Sequence, residues 1–259
     1  APLNYASQGR CVTTDDYKVY TSKLFTLAKT VQVFGGEDGS LDSTLGVVST
    51  PQYGKVFISV RTISGNNMTS AQKNNLINDL KKFNVASITP VIVDPEVTYL
   101  ILQTTFKYNS NITTLTAVTL ESNVRTVLTD YNTNKLTDFN KPFRHSELTR
   151  LVDTTDNAIL NSSINVTLAK YVTPTLNVST SYNVYFNNKF FNPHSGHNAS
   201  SGGIVASTGF LVSGDTTNIN YFDDDGAGIL RRYYLVNAVR TYGDSTAGTV
   251  DYTTGAIAI

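Results

Sequence analysis

The sequence predicts an α+β fold, with two small α+β units followed by a mainly β one. Three observations predict it. Apolar residues recur at helical spacings of three and four through the first two-thirds, and that periodicity disappears beyond Thr173-Pro174. Thr and Asn together make up roughly a quarter of the chain, which suits pleated strands and turns. Charged residues are only 15% of the 259, below the usual ~25%, while 12 Phe and 15 Tyr supply large burial units, so the chain is globular and not disordered.

The elements follow in order. Thr13-Thr14-Asp15-Asp16 are cap and first-turn residues, and Tyr17, Tyr20, Leu24 and Leu27 continue as one apolar stripe, predicting a helix over 14–28. Val31–Phe34 reads as a strand ended by Gly35-Gly36, the stretch 37–54 is turn-rich, and Lys55–Val60 alternates as a second strand. Thr69 or Ser70 caps the next helix, whose stripe is Leu76, Ile77 and Leu80 and whose negative end meets Lys81-Lys82. A third strand is expected over 86–93. Asp94-Pro95 breaks the pattern, because proline disfavours helix in its predecessor and donates no ladder hydrogen bond.

After that break, Val97–Tyr108 reads as a long strand and Leu115–Asn132 as a long helix. Ser146 caps a short helix to Val152, and Ala158–Tyr171 reads as a strand. The last third shows short apolar runs between Asn, Gly and Ser clusters: Tyr182–Phe186, Ile204–Val205, Gly209–Val212, Leu230–Val239 and Gly248–Ile259. The polar stretch Asn187–Gly203 is expected to be an exposed loop. The expected units are therefore 1–94, 95–158 and 159–259, the last mainly β.

Composition excludes several functions. With 20 Lys+Arg against 20 Asp+Glu there is no net field to draw in nucleic acid or an anionic membrane, and the densest basic spots are the pairs Lys81-Lys82 and Arg231-Arg232. No apolar run reaches the ~18 residues of a membrane span. The single Cys11 excludes an internal disulfide framework and a cysteine-rich zinc site. Ala1-Pro2-Leu3-Asn4 has neither an initiator Met nor a signal peptide, so the chain is expected to be a piece of a longer one.

Candidate chemistry is sparse, and no cofactor or metal is called for. His194-Ser195-Gly196-His197 offers two imidazoles but no third ligand, so the expectation is solvent-exposed histidines on a mobile loop. His145 reads as a helix-start packing residue, and Cys11 as a small buried apolar one, since no partner histidine is visible. Asp223-Asp224-Asp225-Gly226-Ala227-Gly228 concentrates carboxylates, but an EF-hand would need a terminal Glu where this chain has Arg232, so a tight acidic turn between strands is expected. Six Asn-X-Ser/Thr sequons, at Asn67, Asn111, Asn161, Asn165, Asn177 and Asn198, carry little weight in a chain this rich in Asn and Thr. No dinucleotide fingerprint or P-loop is present.

The residues that remain stand in a familiar order. Gly9-Arg10-Cys11-Val12-Thr13-Thr14-Asp15-Asp16-Tyr17, the strand 31–34 with Gly35-Gly36-Glu37, the Val93-Asp94-Pro95 turn into a long strand, and a helix closing on Tyr131 resemble the baseplate J-like family of contractile phage tails. Asn140–Leu148 resembles that family's segment before a short Ser-started helix, with Lys141-Pro142-Phe143 where many relatives carry a Gly-rich stretch. The likeness covers about 9–160. Gly248-Thr249-Val250-Asp251-Tyr252-Thr253-Thr254-Gly255 is similar to a segment of baseplate wedge proteins of T-even-like phages, and its returning strand is expected to be truncated or disordered at Ile259.

The resemblance implies a structural, non-enzymatic subunit of a baseplate wedge in the phage virion, assembled in the bacterial host cytoplasm. It implies a homodimer that joins a ring of wedges around the tail hub alongside other wedge subunits, with no nucleic-acid or membrane partner. The open alternative is a host-glycan-binding or carbohydrate-active tail protein, whose exposed Tyr and Asp would line a groove.

Overall fold

A computed structural model describes residues 9–38, 40–42, 46–48, 51–85, 87–176 and 178–259. The first residues Ala1–Asn4, parts of the turn-rich stretch 37–54, Ala86 of the expected third strand and the sequon at Asn177 lie outside these described residues. The fold is α+β, and its C-terminal part is mainly β. The chain divides into two compact units, one of Ala1–Ser40 with Ser49–Ala169 and the other of Leu41–Val48 with Lys170–Ile259.

The first unit opens on α1 (Thr14–Leu24). The Thr13 hydroxyl accepts from Asp16 N, and the Asp16 carboxylate accepts from Val12 N and Thr13 N at 3.1 and 2.9 Å, a capping box that satisfies the orphan donors of the first turn. Burial alone would raise the Asp16 carboxyl, but these hydrogen bonds from Thr13 and Val12 hold it below the ordinary range. The helix stops four residues before the expected 28, because Phe25 leaves helical geometry and Ala28 is already paired with Thr62 in β1 (Ala28–Gly35). Inside the turn-rich stretch, β2 (Ser40–Asp42) and β3 (Gly46–Val48) form a two-stranded sheet that, from Leu41 on, belongs to the second unit.

Next, β4 (Lys55–Thr62) pairs antiparallel with β1 and parallel with β5 (Thr89–Val93), which makes it the central strand of three. Val56 to Val60 are all buried, so the alternation read from sequence gives way to a strand covered on both faces. The crossover from β4 to β5 is α2 (Ser70–Leu80), capped by Thr69 with Gln72 completing a second capping box. Tyr17, Tyr20, Ile58, Val60, Leu76 and Leu80 sit in one core between these helices and the sheet.

Beyond Pro95, β6 (Tyr99–Tyr108) pairs antiparallel with β7 (Ile159–Ala169) from Tyr99↔Ala169 to Tyr108↔Ile159. The expected boundary at 158/159 falls inside this pairing, whereas the two compact units part at Ala169 and Lys170. Between the two strands come α3 (Ala117–Tyr131), with Thr116 as its N-cap, and α4 (His145–Asp153). Val124, Tyr131, Leu148, Val152, Ile159 and Ile164 form a second core there. Helix α4 starts one residue earlier than the expected Ser146 cap and has no side-chain cap.

The second unit is built on a six-stranded antiparallel sheet. Its strands are β8 (Asn183–Tyr185), β9 (Phe210–Val212), β10 (Asp215–Asp224), β11 (Ile229–Val236), β12 (Val239–Asp251) and β13 (Ala256–Ala258), in the spatial order β8-β13-β12-β11-β10-β9. Two expected runs resolve differently. Leu230–Val239 is not one strand, because Asn237 and Ala238 both take positive φ (49° and 64°) and turn the chain back as a two-residue hairpin. Ile204–Val205 is not a strand either, since its backbone N–H groups are taken by a carboxylate. The returning strand expected to be truncated or disordered is β13, paired with β12 on one side and β8 on the other. Gly248 makes room for it: a Cβ there would stand 2.0 Å from the Ala258 carbonyl oxygen.

Candidate functional site

The acidic run marks the most organised polar region of the second unit. Strand β10 delivers Asp223 and Asp224 to its end, and Asp225 to Gly228 turn the chain into β11. The turn between strands is as expected, but two of its carboxylates are buried, Asp223 at 2% exposure and Asp224 at 0%. Alternation along β10 sends them to opposite faces of the sheet. Asp224 accepts from Ile204 N (2.7 Å), Val205 N (2.6 Å), Gly226 N (3.1 Å) and the Tyr252 hydroxyl (2.5 Å). Burial, and then the hydrogen bond to this carboxylate, raise the Tyr252 phenol above its ordinary pKa. Asp225, half-buried, accepts from Ala227 N and Ile229 N and shapes the turn.

Asp223 is bound from the other face. Arg231 Nε donates to Oδ1 at 2.9 Å, Arg240 Nη1 donates to Oδ2 at 3.1 Å, and the Tyr242 hydroxyl donates to Oδ2 at 3.0 Å. The neighbouring Arg232 instead donates to the buried Asn220 side chain at 2.9 Å, so the Arg231-Arg232 pair is divided between the two faces and is no polyanion site. Tyr221, Tyr233, Tyr242 and Arg240 were not singled out from sequence, and Arg231 stood out only as half of a basic pair. The alternation in Arg231-Arg232-Tyr233-Tyr234, which puts one Arg and one Tyr on each face, is the signal that points to them.

The His-Ser-Gly-His segment is anchored and not a free loop. Gly196 N donates to the Gly226 carbonyl at 2.9 Å, as does the Asn192 amide, and a Cβ on Gly226 would meet the His197 carbonyl oxygen at 2.6 Å. His194 and His197 stand edge to face with ring centroids 5.2 Å apart, and Phe191 flanks His197 at 5.7 Å. His194 is exposed and His197 half-buried. Among the described residues no three His, Cys, Asp or Glu come together as a metal site.

In the first unit His145 sits at the start of α4, where its Nε2 donates to the Ile164 carbonyl at 2.9 Å, a packing contact between helix and strand. Cys11 is fully buried, and its N–H donates to the Phe83 carbonyl at 2.7 Å. Burial, and then the nearby Asp16 charge, push its thiol from 9.0 up to about 11, the reverse of what a nucleophile needs. A folded-state value above the unfolded one means that this contribution is intact below pH 9.0 and lost as pH rises through about 11. Alkaline unfolding of the wild type should therefore lose about 1–3 kcal/mol across that window. A Cys11→Ala chain should show a shallower fall, and parallel pH profiles for the two would refute the assignment.

Residues 13–93 match the family model described as baseplate structural protein gp6, C-terminal domain I, and residues 96–171 match C-terminal domain III of the same protein. The baseplate wedge protein gp6 of Enterobacteria phage T4 is 31% identical over 169 residues, which are 64% of this chain and 23% of that protein. The chain thus spans about a quarter of the relative's length. Among solved structures, one described as the cryo-EM structure of the anti-feeding prophage baseplate aligns over 65% of this chain and 35% of its own, at a TM-score of 0.45 and 10% identity.

Proposed function

We propose, from its kinship with the gp6 baseplate proteins over residues 13–171, that this chain is a structural part of a baseplate wedge subunit in a contractile phage tail. The observation that carries the reading is two successive gp6-type domains, each with its own packed core. In the same reading the chain is not an enzyme: its buried carboxylates are tied up in structural hydrogen bonds, and its thiol is held protonated. The finer kinship with baseplate J-like proteins, a three-part organisation whose last boundary moves from 158/159 to the end of β7 at Ala169, and assembly in the host cytoplasm belong to the proposal too. Thr13 to Tyr17, which carry the J-like resemblance, form the capped start of α1. An antibody against the chain should label the tail end of intact virions in negative stain; label confined to heads or absent from particles would overturn the reading.

The chain is further proposed to pair with itself as a dimer, within a ring that also holds other wedge subunits and brings six wedges together around the tail hub. Physical support comes from the second unit, whose sheet ends on the three-residue edge strand β9 with backbone donors and acceptors to cover. Twofold pairing closes at two copies, so the ring needs a second, different contact. Sedimentation equilibrium should show a dimer of the 28.2 kDa chain, and a monomer persisting at high concentration would refute the pairing.

A further inference from the structure

One face of the six-stranded sheet, across β10, β11 and β12, is built of tyrosine and arginine. Tyr221 stacks on Tyr233 with ring centroids 5.5 Å apart and an interplanar angle of 25°, and Tyr233 lies 6.1 Å from Tyr242. The Arg231 guanidinium sits 4.5 Å over the Tyr242 ring and the Arg240 guanidinium 4.9 Å over Tyr233. Both arginines share the single carboxylate of Asp223, so the cluster holds two cations and one anion and keeps a positive surplus. It is partly open to solvent: the Arg240 side chain is 34% exposed and Tyr242 41%, whereas Arg231, at 17%, also donates Nη2 to the Asp224 carbonyl at 2.8 Å; Ile219 and Leu235 flank the cluster as exposed apolar residues.

The physical character of this face is specific. The side chains are held by stacking and by Asp223, so little rotamer freedom remains to be lost on contact. Tyrosine and arginine in fixed positions are the residue types that carry most binding energy at protein interfaces. We propose that this face docks an acidic segment of a different protein, whose carboxylates meet the part-exposed guanidinium of Arg240 and whose apolar side chains cover Ile219 and Leu235. Charge decides the occupant. A second copy seated here by a twofold axis would set four guanidiniums against two carboxylates, a like-charge contact that disfavours self-pairing. A nucleic acid would need a run of cations along its phosphates, and this face has only these two with a carboxylate between them. The proposal rests on the wedge reading only in that another protein lies alongside; its geometry is independent of the dimer.

The test uses the intact chain and a fluorescein-labelled peptide of alternating Glu and Leu, read by anisotropy. Binding should weaken as salt rises, and Arg240→Gln should weaken it about tenfold. Should Arg240→Gln lose its fold by circular dichroism, Ile219→Glu, a like charge placed on the exposed rim, should produce the same loss. Three results would overturn the proposal: a folded variant that binds as well as wild type, a Gln-for-Glu peptide that binds equally, or a single-stranded oligonucleotide of equal charge that binds more tightly. Sedimentation of the variants separates the two readings. Loss of self-association in folded Arg240→Gln would seat a second copy on this face and sink the acidic partner while leaving the wedge reading standing. A monomeric wild type that still binds the peptide would sink the dimer alone.

Discussion

Asp224→Ala should abolish the cooperative unfolding transition of the second unit, at a cost of about 3–5 kcal/mol. The carboxylate is fully buried and collects three backbone N–H groups and a phenol from three separate segments: the 204–205 stretch, the turn into β11, and the Tyr252 turn after β12. Its removal leaves four donors around a buried position without their acceptor, and no shift of one segment can satisfy them all. The approach is close as well: a Cβ on Gly203 would lie 2.2 Å from an Asp224 oxygen, so that strand-free segment is shaped around the carboxylate. Asp224→Asn, which keeps the volume and one acceptor but turns an NH₂ toward donors, should fall between wild type and alanine. Denaturant unfolding with hydrogen exchange checks this, with protection expected to vanish in β10 to β13 and to persist in β4 and α2. A change below about 1 kcal/mol would mean that the network holds nothing together.

What the sequence showed and what it hid divide along the source of the stabilising contacts. Helices α1 and α2 were legible because Thr13 and Thr69 cap locally, and apolar spacing fixes the buried stripe whatever lies opposite. The break at Asp94-Pro95 was legible because proline acts on its own backbone. Strand β10 was not, because its buried residues include Asn220, Asp223 and Asp224, which read as a polar turn until Arg231, Arg232, Tyr242 and Tyr252 are seen to satisfy them. The middle of β12 was hidden likewise. Gly243 looks like a turn residue, whereas it lies under the Arg232 guanidinium. As for candidate sites, sequence reading placed His145 and Cys11 in packing roles, and both sit in such contacts. The contact between the 194–197 segment and the Gly226 turn spans some thirty residues of chain, and no local pattern announces it.

Leu148→Ala should destabilise the second core by about 3–4 kcal/mol and release α4 from β7. That core rests on six buried side chains, and α4 contributes Leu148 and Val152, both at 0% exposure. The helix has only nine residues and no side-chain cap, so it is too short to persist on propensity alone and is held by these two residues and the His145 contact with Ile164. Alanine at 148 leaves a cavity in the core that Val124 and Tyr131 of α3 share, and a sheet of only two strands has no third strand to close over it. Val118 on α3 supplies the comparison: it is 75% exposed, and Val118→Ala should change stability by less than about 0.5 kcal/mol. Limited proteolysis should cut the Leu148→Ala chain first between Asn140 and Asp153 while wild type resists there. Equal unfolding midpoints for Leu148→Ala and Val118→Ala would show that α4 is held by something other than its buried face.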